Sequence, residues 1–252
     1  MGIDYEKRDR IAYLTINRPE AMNAIDRPMY QDMLAAINDF RDADDCWVML
    51  ITGAGDRAFS SGFDLTSVIG EVSGGNIEVT RTDWFKEVYK PVIAAINGFC
   101  FAGALEMLLA TDIRIASDNA VFGLTEAKWG LATCDGATTR LARQLSWCHA
   151  MELQLVADPI TAQDAHRMGL VNKVVPLKDL MPTAEKIARR VCENGPLAVR
   201  MIKQVATRAL SMPMDQALIL EHFSGKSLYS TEDAAEGPRA FAEKRKPEYK
   251  AR

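Results

Sequence analysis

Apolar residues follow two spacings along the first two thirds of this chain. Ile11–Ile16, Trp47–Thr52, Val92–Ile96, Asp112–Ala116 and Val171–Val175 are short, nearly unbroken apolar runs. Such runs predict strands covered on both faces, because a strand with one wet face would alternate polar and apolar residues. Between the first two runs, Met29, Met33, Leu34 and Ile37 recur at helical spacing within Asp26–Phe40. Further helices are expected around Trp84–Tyr89 and from about Gly103 to Ala110. Strand, loop and helix repeat in this way to about residue 175, which predicts an α/β architecture. After Lys178 the pattern turns helical, over 179–194, Pro196–Leu210 and Met214–Ser227, followed by a charged tail. The chain therefore divides into a core over residues 1–190 and a C-terminal helical region over residues 191–252. The glycine-bearing stretch Ser67–Asp83 reads as a mobile connection.

Composition narrows the classes of function. The net charge is −4 over 252 residues, and the one basic cluster is Lys244-Arg-Lys246. This gives no reason to expect nucleic acid or an anionic membrane as partner. No apolar run approaches the roughly 20 residues a bilayer-spanning helix needs. The charged opening Met1-Gly-Ile-Asp-Tyr-Glu6 does not resemble a secretory leader, so a cytoplasmic protein is expected. The five cysteines include no CxxC, and the three histidines, His149, His166 and His222, share no ligand spacing. Neither a disulfide framework nor a metal site is supported. No GxGxxG follows a first strand, and no phosphate-binding Lys-Ser signature occurs, so a dinucleotide or nucleotide cofactor is not expected.

Candidate chemistry centres on two glutamates, Glu106 and Glu126, each close behind a glycine-bearing apolar run. A carboxylate behind a buried strand is costly unless paired, hydrogen-bonded or protonated. Two of them beside a glycine-lined turn suggest an acid–base pair in a covered site. Two loops supply candidate donors. In Phe59-Ser-Ser-Gly-Phe-Asp64, Gly62 lets the backbone turn and exposes the N–H of Phe63. In Phe101-Ala-Gly-Ala-Leu-Glu106, Gly103 opens a helix, so its N–H is one of the donors without an intrahelical partner. Two such donors on one point would form an oxyanion hole.

The order of these motifs along the chain resembles the crotonase, or enoyl-CoA hydratase/isomerase, superfamily. The resemblance begins at Leu14–Ala24 and runs through Ile51–Leu65, Lys90–Gly98, Phe122–Leu131 and Gly169–Val175 to Glu236–Lys246. Within the superfamily the chain is most similar to the hydratase and carnitinyl-CoA dehydratase branch. The resemblance implies a spiral of ββα repeats, a C-terminal α-helical trimerisation region, and a homotrimer or a dimer of trimers. It implies an acyl-CoA thioester substrate, as in fatty acid metabolism, with coenzyme A entering as part of that substrate and no separate cofactor. Phe63 and Gly103 would be the oxyanion donors, and Glu106 and Glu126 the catalytic pair. Met22, Ala24 and Ala58 would lie at the adenine, with Asp64 and Leu65 beside the pantetheine. Phe241 and Lys244 match tail residues that reach a neighbouring subunit's coenzyme A.

The chain departs from the family pattern twice. Ala102-Gly103-Ala104 stands where hydratases often carry consecutive glycines. Thr133-Cys134-Asp135-Gly136-Ala137 replaces a Pro-Gly-x-Gly-Gly loop, which puts Cys134 where a glycine usually faces the water. Cys134 lacks an adjacent histidine and reads as a packing residue that narrows the space, not as a nucleophile. Asp135 is expected to cap the following helix, the alternative being contact with a polar acyl group. The leading function is water addition to, or removal from, an acyl-CoA. The alternatives are an enoyl-CoA isomerase, an acyl-CoA hydrolase, and a non-catalytic acyl-CoA-binding scaffold.

Overall fold

The computed structural model describes residues 2–64 and 83–252; Leu65 and nearly all of the expected connection Ser67–Asp83 lie outside the described residues. Among the described residues, ten strands form two sheets. The larger has the order β1 (Gly2–Arg8), β2 (Ile11–Asn17), β3 (Val48–Gly53), β5 (Val92–Ile96), β7 (Ile113–Ser117), β10 (Lys173–Val175). The smaller has the order β4 (Ala58–Ser60), β6 (Phe99–Phe101), β8 (Val121–Gly123), β9 (Ile160–Thr161). Pairing is parallel except for the β1–β2 hairpin and the β8–β9 pair. The pairs β3–β4, β5–β6 and β7–β8 each place one strand in the large sheet and the next in the small one. This is a spiral of ββ coils linked by helices, the α/β architecture expected from the sequence.

The unbroken apolar runs have a direct cause. Alternate residues of each central strand enter different cores. Leu14, Ile16, Met49, Ile51, Ala94 and Ile96 join the main core, which also holds Met29, Met33, Ile37 and Phe40 of helix α1 (Arg27–Asp42). Tyr13, Val48, Leu50, Ile93, Ala95 and Ile115 face the other way and meet Leu180, Ala184 and Ala188. Those three lie on a later helix, Leu180–Cys192. Helix α1 starts where Asp26 Oδ1 accepts the Met29 N–H at 2.9 Å, with Pro28 in its first turn.

One expectation needs correction. Trp84–Tyr89 is not a helix but a pair of tight turns, with Phe85 and Glu87 both at φ 58°. Trp84, Phe85 and Val88 are buried, and the chain must re-extend before Pro91, which disfavours helix in the residue ahead of it. The charged tail also contains a helix, Glu232–Ala242. Its buried Asp233 and Glu236 accept amides from the last residues: Lys250 and Ala251 donate to Asp233, and Glu248 donates to Glu236.

A seam of buried amides joins successive coils at one corner. The Asn23 side chain donates to the carbonyls of Ala54 and Ala58 at 3.0 and 2.7 Å. Asn97, two coils away, donates to Gly55 and Ala58 at 2.8 and 3.0 Å and accepts from the Gly53 N–H at 3.2 Å. The β3–β4 turn is thus held from both sides. Among the described residues no helix is long and apolar enough to cross a membrane.

Candidate active site

Helix α2 (Gly103–Leu108) follows β6 directly and carries both a candidate donor and a candidate base. Ala102 precedes it at φ 51°, ψ −129°, a region that L residues rarely enter. The Ala102 N–H is bonded to the Gly123 carbonyl at 2.9 Å, and its own carbonyl accepts from Leu105 and Glu106. Reversal at Ala102 leaves the Gly103 N–H at the helix start, where no preceding turn supplies an acceptor.

The second donor sits on the adjacent coil. Ile25 donates to the Gly62 carbonyl and accepts from the Asp64 N–H, both at 2.9 Å. Because Ile25 bonds to the residues on either side of Phe63, the Phe63 N–H faces away from it. Gly62 backs onto the other donor: a Cβ there would lie 3.1 Å from the Gly103 nitrogen and 3.0 Å from the Phe101 carbonyl oxygen. A Cβ at Gly103 would in turn meet the Phe63 ring at 2.7 Å. Glycine at both positions is what allows the two loops to touch. The Phe63 ring is held by Tyr30, edge-on at 5.8 Å, and by Trp84, stacked at 6.3 Å.

One turn along α2, Glu106 is almost fully buried. Its Oε1 accepts the N–H groups of Asp135 and Ala137 at 3.1 and 3.2 Å. Burial dominates its acidity: the carboxyl is pushed up to about 7, helped by the charges of Asp135 and Glu126, while the two amide bonds pull the other way. Glu126 opens a short turn, Glu126–Trp129, behind β8. Its carboxyl is also raised by burial, and its Oε2 is buried without a hydrogen-bond partner among the described residues. A buried carboxylate oxygen left open in this way suits a water or substrate group.

Cys134 and Asp135 join this cluster. The Cys134 Sγ and single oxygens of Glu106 and Asp135 lie within 4.8 Å of one another. Burial and the charges of Asp135, Glu106 and Glu126 all raise the Cys134 thiol, which keeps it protonated and a poor nucleophile. Glu106 is the member already committed to protein amides, which argues for an acid–base role over a cation cage. The capping role expected of Asp135 goes elsewhere. The helix Ala137–Gln144 has Gly136 at its N-cap with no side-chain cap, and the Thr133 hydroxyl accepts the Thr138 N–H at 3.3 Å.

The remaining expected positions are spread out. Met22 and Ala24 lie on the loop before α1, half-buried, and Ala58 is buried in β4. The Met22 carbonyl accepts the Ser61 N–H, which ties this loop to the Gly62–Phe63 turn. Asp64 pairs with Arg18 at 2.8 Å. Phe241 lies in the last turn of the helix Glu232–Ala242 with 86% of its surface exposed, and Lys244 follows at φ 56°. The sequence reading missed Asn23, Asn97, Tyr30, Trp84 and Arg140. Asn97-Gly98 at the end of an apolar run is the one signal that pointed toward any of them. A cavity of about 950 Å³ between the C-terminal helices, lined by residues including Met201, His222, Tyr229 and Tyr249, includes none of the glutamate or donor residues.

A spiral of ββ coils linked by helices is the crotonase class of fold. Residues 6–252 match the enoyl-CoA hydratase/isomerase family model, and the chain belongs to that family. It is 37% identical over 248 residues to a short-chain-enoyl-CoA hydratase of Clostridium acetobutylicum, covering 96% of this chain and 95% of that one. It is 36% identical over 252 residues to the carnitinyl-CoA dehydratase of Escherichia coli, covering 96% and 95%. The crystal structure of an enoyl-CoA hydratase from Bacillus anthracis superposes with a TM-score of 0.95 at 32% identity, with all of both chains covered.

Proposed function

We propose that this chain is an acyl-CoA hydratase or dehydratase that adds or removes water across the Cα–Cβ bond of an enoyl-CoA or 3-hydroxyacyl-CoA. The carrying observation is the Glu106 carboxyl, buried yet poised near neutrality one helical turn from the Gly103 amide. In hydration, the Phe63 and Gly103 amides receive the thioester oxygen. Each donor of this kind contributes roughly 3–4 kcal/mol as negative charge develops there. Glu106 takes a proton from the water that attacks Cβ, electrons shift to the thioester oxygen, and Glu126 delivers a proton to Cα. Dehydration is the same path reversed. One carboxyl must be ionised and the other protonated, and burial with mutual repulsion favours that split state. Coenzyme A arrives with the substrate, and the scheme calls on no further cofactor. Met22, Ala24, Ala58, Asp64 and Leu65 are proposed to line the path of its adenine and pantetheine.

The family relationship and an exposed apolar face on Met214–Leu228, including Leu218, Ile219 and Phe223, support a homotrimer or a dimer of trimers. In it Phe241 and Lys244 would reach a neighbour's coenzyme A.

The test uses crotonyl-CoA. The enone absorbance should fall and the product should gain the mass of one water, and Glu126→Gln should slow this by about 10²–10⁴-fold. Binding without turnover in the unaltered protein would refute the enzymatic reading. The Cys134 side chain, set against Glu106, favours one second reading, double-bond isomerisation without water. A product of unchanged mass from a 3-enoyl-CoA, with no hydration of crotonyl-CoA, would select it.

A further inference from the structure

We infer that Arg140 is a positioning residue that fixes the loop amides holding Glu106, and that it links this loop to Asp83. The inference rests on the reading of Glu106 as the group that activates water.

Arg140 stands in the first turn and a half of the helix Ala137–Gln144. A cation near a helix N-terminus opposes the helix dipole, so its presence there calls for a compensating interaction. The guanidinium folds back over the start of its own helix. Nη1 donates to the Asp135 carbonyl at 2.9 Å, and Nη2 donates to Asp83 Oδ1 at 3.1 Å. The peptide plane pinned by the first bond contains the Asp135 C=O and the Gly136 N–H. It lies between the two planes whose N–H groups, of Asp135 and Ala137, converge on Glu106 Oε1. Fixing the middle plane fixes the angle between its neighbours. Gly136 makes the turn at φ 111°, and a Cβ there would fall 2.1 Å from Arg140 Nη1. The glycine therefore admits both the turn and the guanidinium.

The arrangement is local enough to test without unfolding the protein. The side chains of Arg140 and Asp83 are 24% and 37% exposed, so neither is a core element. The titratable groups facing Glu106 are Glu126, Asp135 and the Cys134 thiol. All three are retained as residues in an Arg140 variant, so a change in the Glu106 titration reports on the loop that Arg140 holds. With the guanidinium gone, the two amides no longer hold the charged form of Glu106 as firmly, and its proton is released at higher pH.

The experiment compares unaltered protein, Arg140→Met, Arg140→Lys and Asp83→Asn. Glutamate side chains are labelled at the carboxyl carbon, and the Glu106 resonance is assigned by its loss in Glu106→Gln. In Arg140→Met the Glu106 titration should move upward by half a pH unit or more. The acidic limb of the kcat profile for crotonyl-CoA should move with it. At pH 7 kcat should fall about twofold or more, in step with the loss of ionised Glu106, while KM changes little. Arg140→Lys should recover part of the shift, and Asp83→Asn should show a smaller shift of the same sign. A folded Arg140→Met protein with an unaltered Glu106 titration would overturn the inference. The titration needs no turnover, so an unaltered protein that fails to hydrate crotonyl-CoA would defeat the functional reading separately.

Discussion

At the scale of single residues, the same burial that tunes Glu106 also destabilises the fold. Its carboxyl is raised from 4.5 to about 7 in the folded chain. The folded state therefore holds this proton more tightly than the unfolded state. Stability is unaffected below about pH 4.5, declines as pH rises toward 7, and stays lower above it. At about 1.4 kcal/mol per unit the cost is at most roughly 3–4 kcal/mol. Glu106→Gln, which keeps an acceptor for the two amides, should be more stable than the parent at pH 8 and equal to it at pH 4.5. Urea unfolding at the two pH values measures this. A variant less stable than the parent at pH 8 but equal to it at pH 4.5 would mean that the carboxylate is a net structural support. Glu106, Glu126, Phe63 and Gly103 were identifiable as candidates in the sequence because each sits in a motif with its own spacing. Asn23, Asn97 and Arg140 were not, because their partners are main-chain carbonyls, and a carbonyl looks the same at every position in a sequence.

At the scale of elements, the junction of β6 and α2 concentrates strain. Ala102 occupies φ 51°, ψ −129°, a conformation open to glycine at little cost and to alanine at about 1–3 kcal/mol. Ala102→Gly should stabilise the protein by about 1 kcal/mol after the added freedom of the unfolded chain is counted. For a chain of this length that corresponds to a rise in Tm of about 2–4 °C, readable by calorimetry. An unchanged or lower Tm would mean that the Ala102 methyl, packed beside Gly62, contributes more than the backbone loses. The central strands were legible because both of their faces are covered. The strands β4, β6, β8 and β9 span only two or three residues each, too few for any periodicity to register. Trp84–Tyr89 misled because its apolar residues fall at helical spacing, although they are buried by turns.

At the scale of the whole molecule, the order of motifs along the chain carried more information than any motif alone, and it is this order that the spiral architecture reflects. Subunit association is the property least visible in one chain. Met214, Leu218, Ile219 and Phe223 lie on one helix, and Phe223 is 65% exposed, an arrangement that invites a partner. Phe223→Asp should lower the sedimenting mass toward that of one chain. If Phe241 and Lys244 serve a neighbouring site, it should also raise KM for the CoA thioester more than it lowers kcat. Unaltered mass would place the contact elsewhere. The buried amide seam at Ala58 has a wider consequence. Asn23 and Asn97 grip the same carbonyl from different coils, so β4, which leads to the proposed Phe63 donor, is fastened by side chains apart from any proposed to meet the substrate. Such a division lets selection rebuild the catalogue of accepted substrates while the reaction centre is inherited intact.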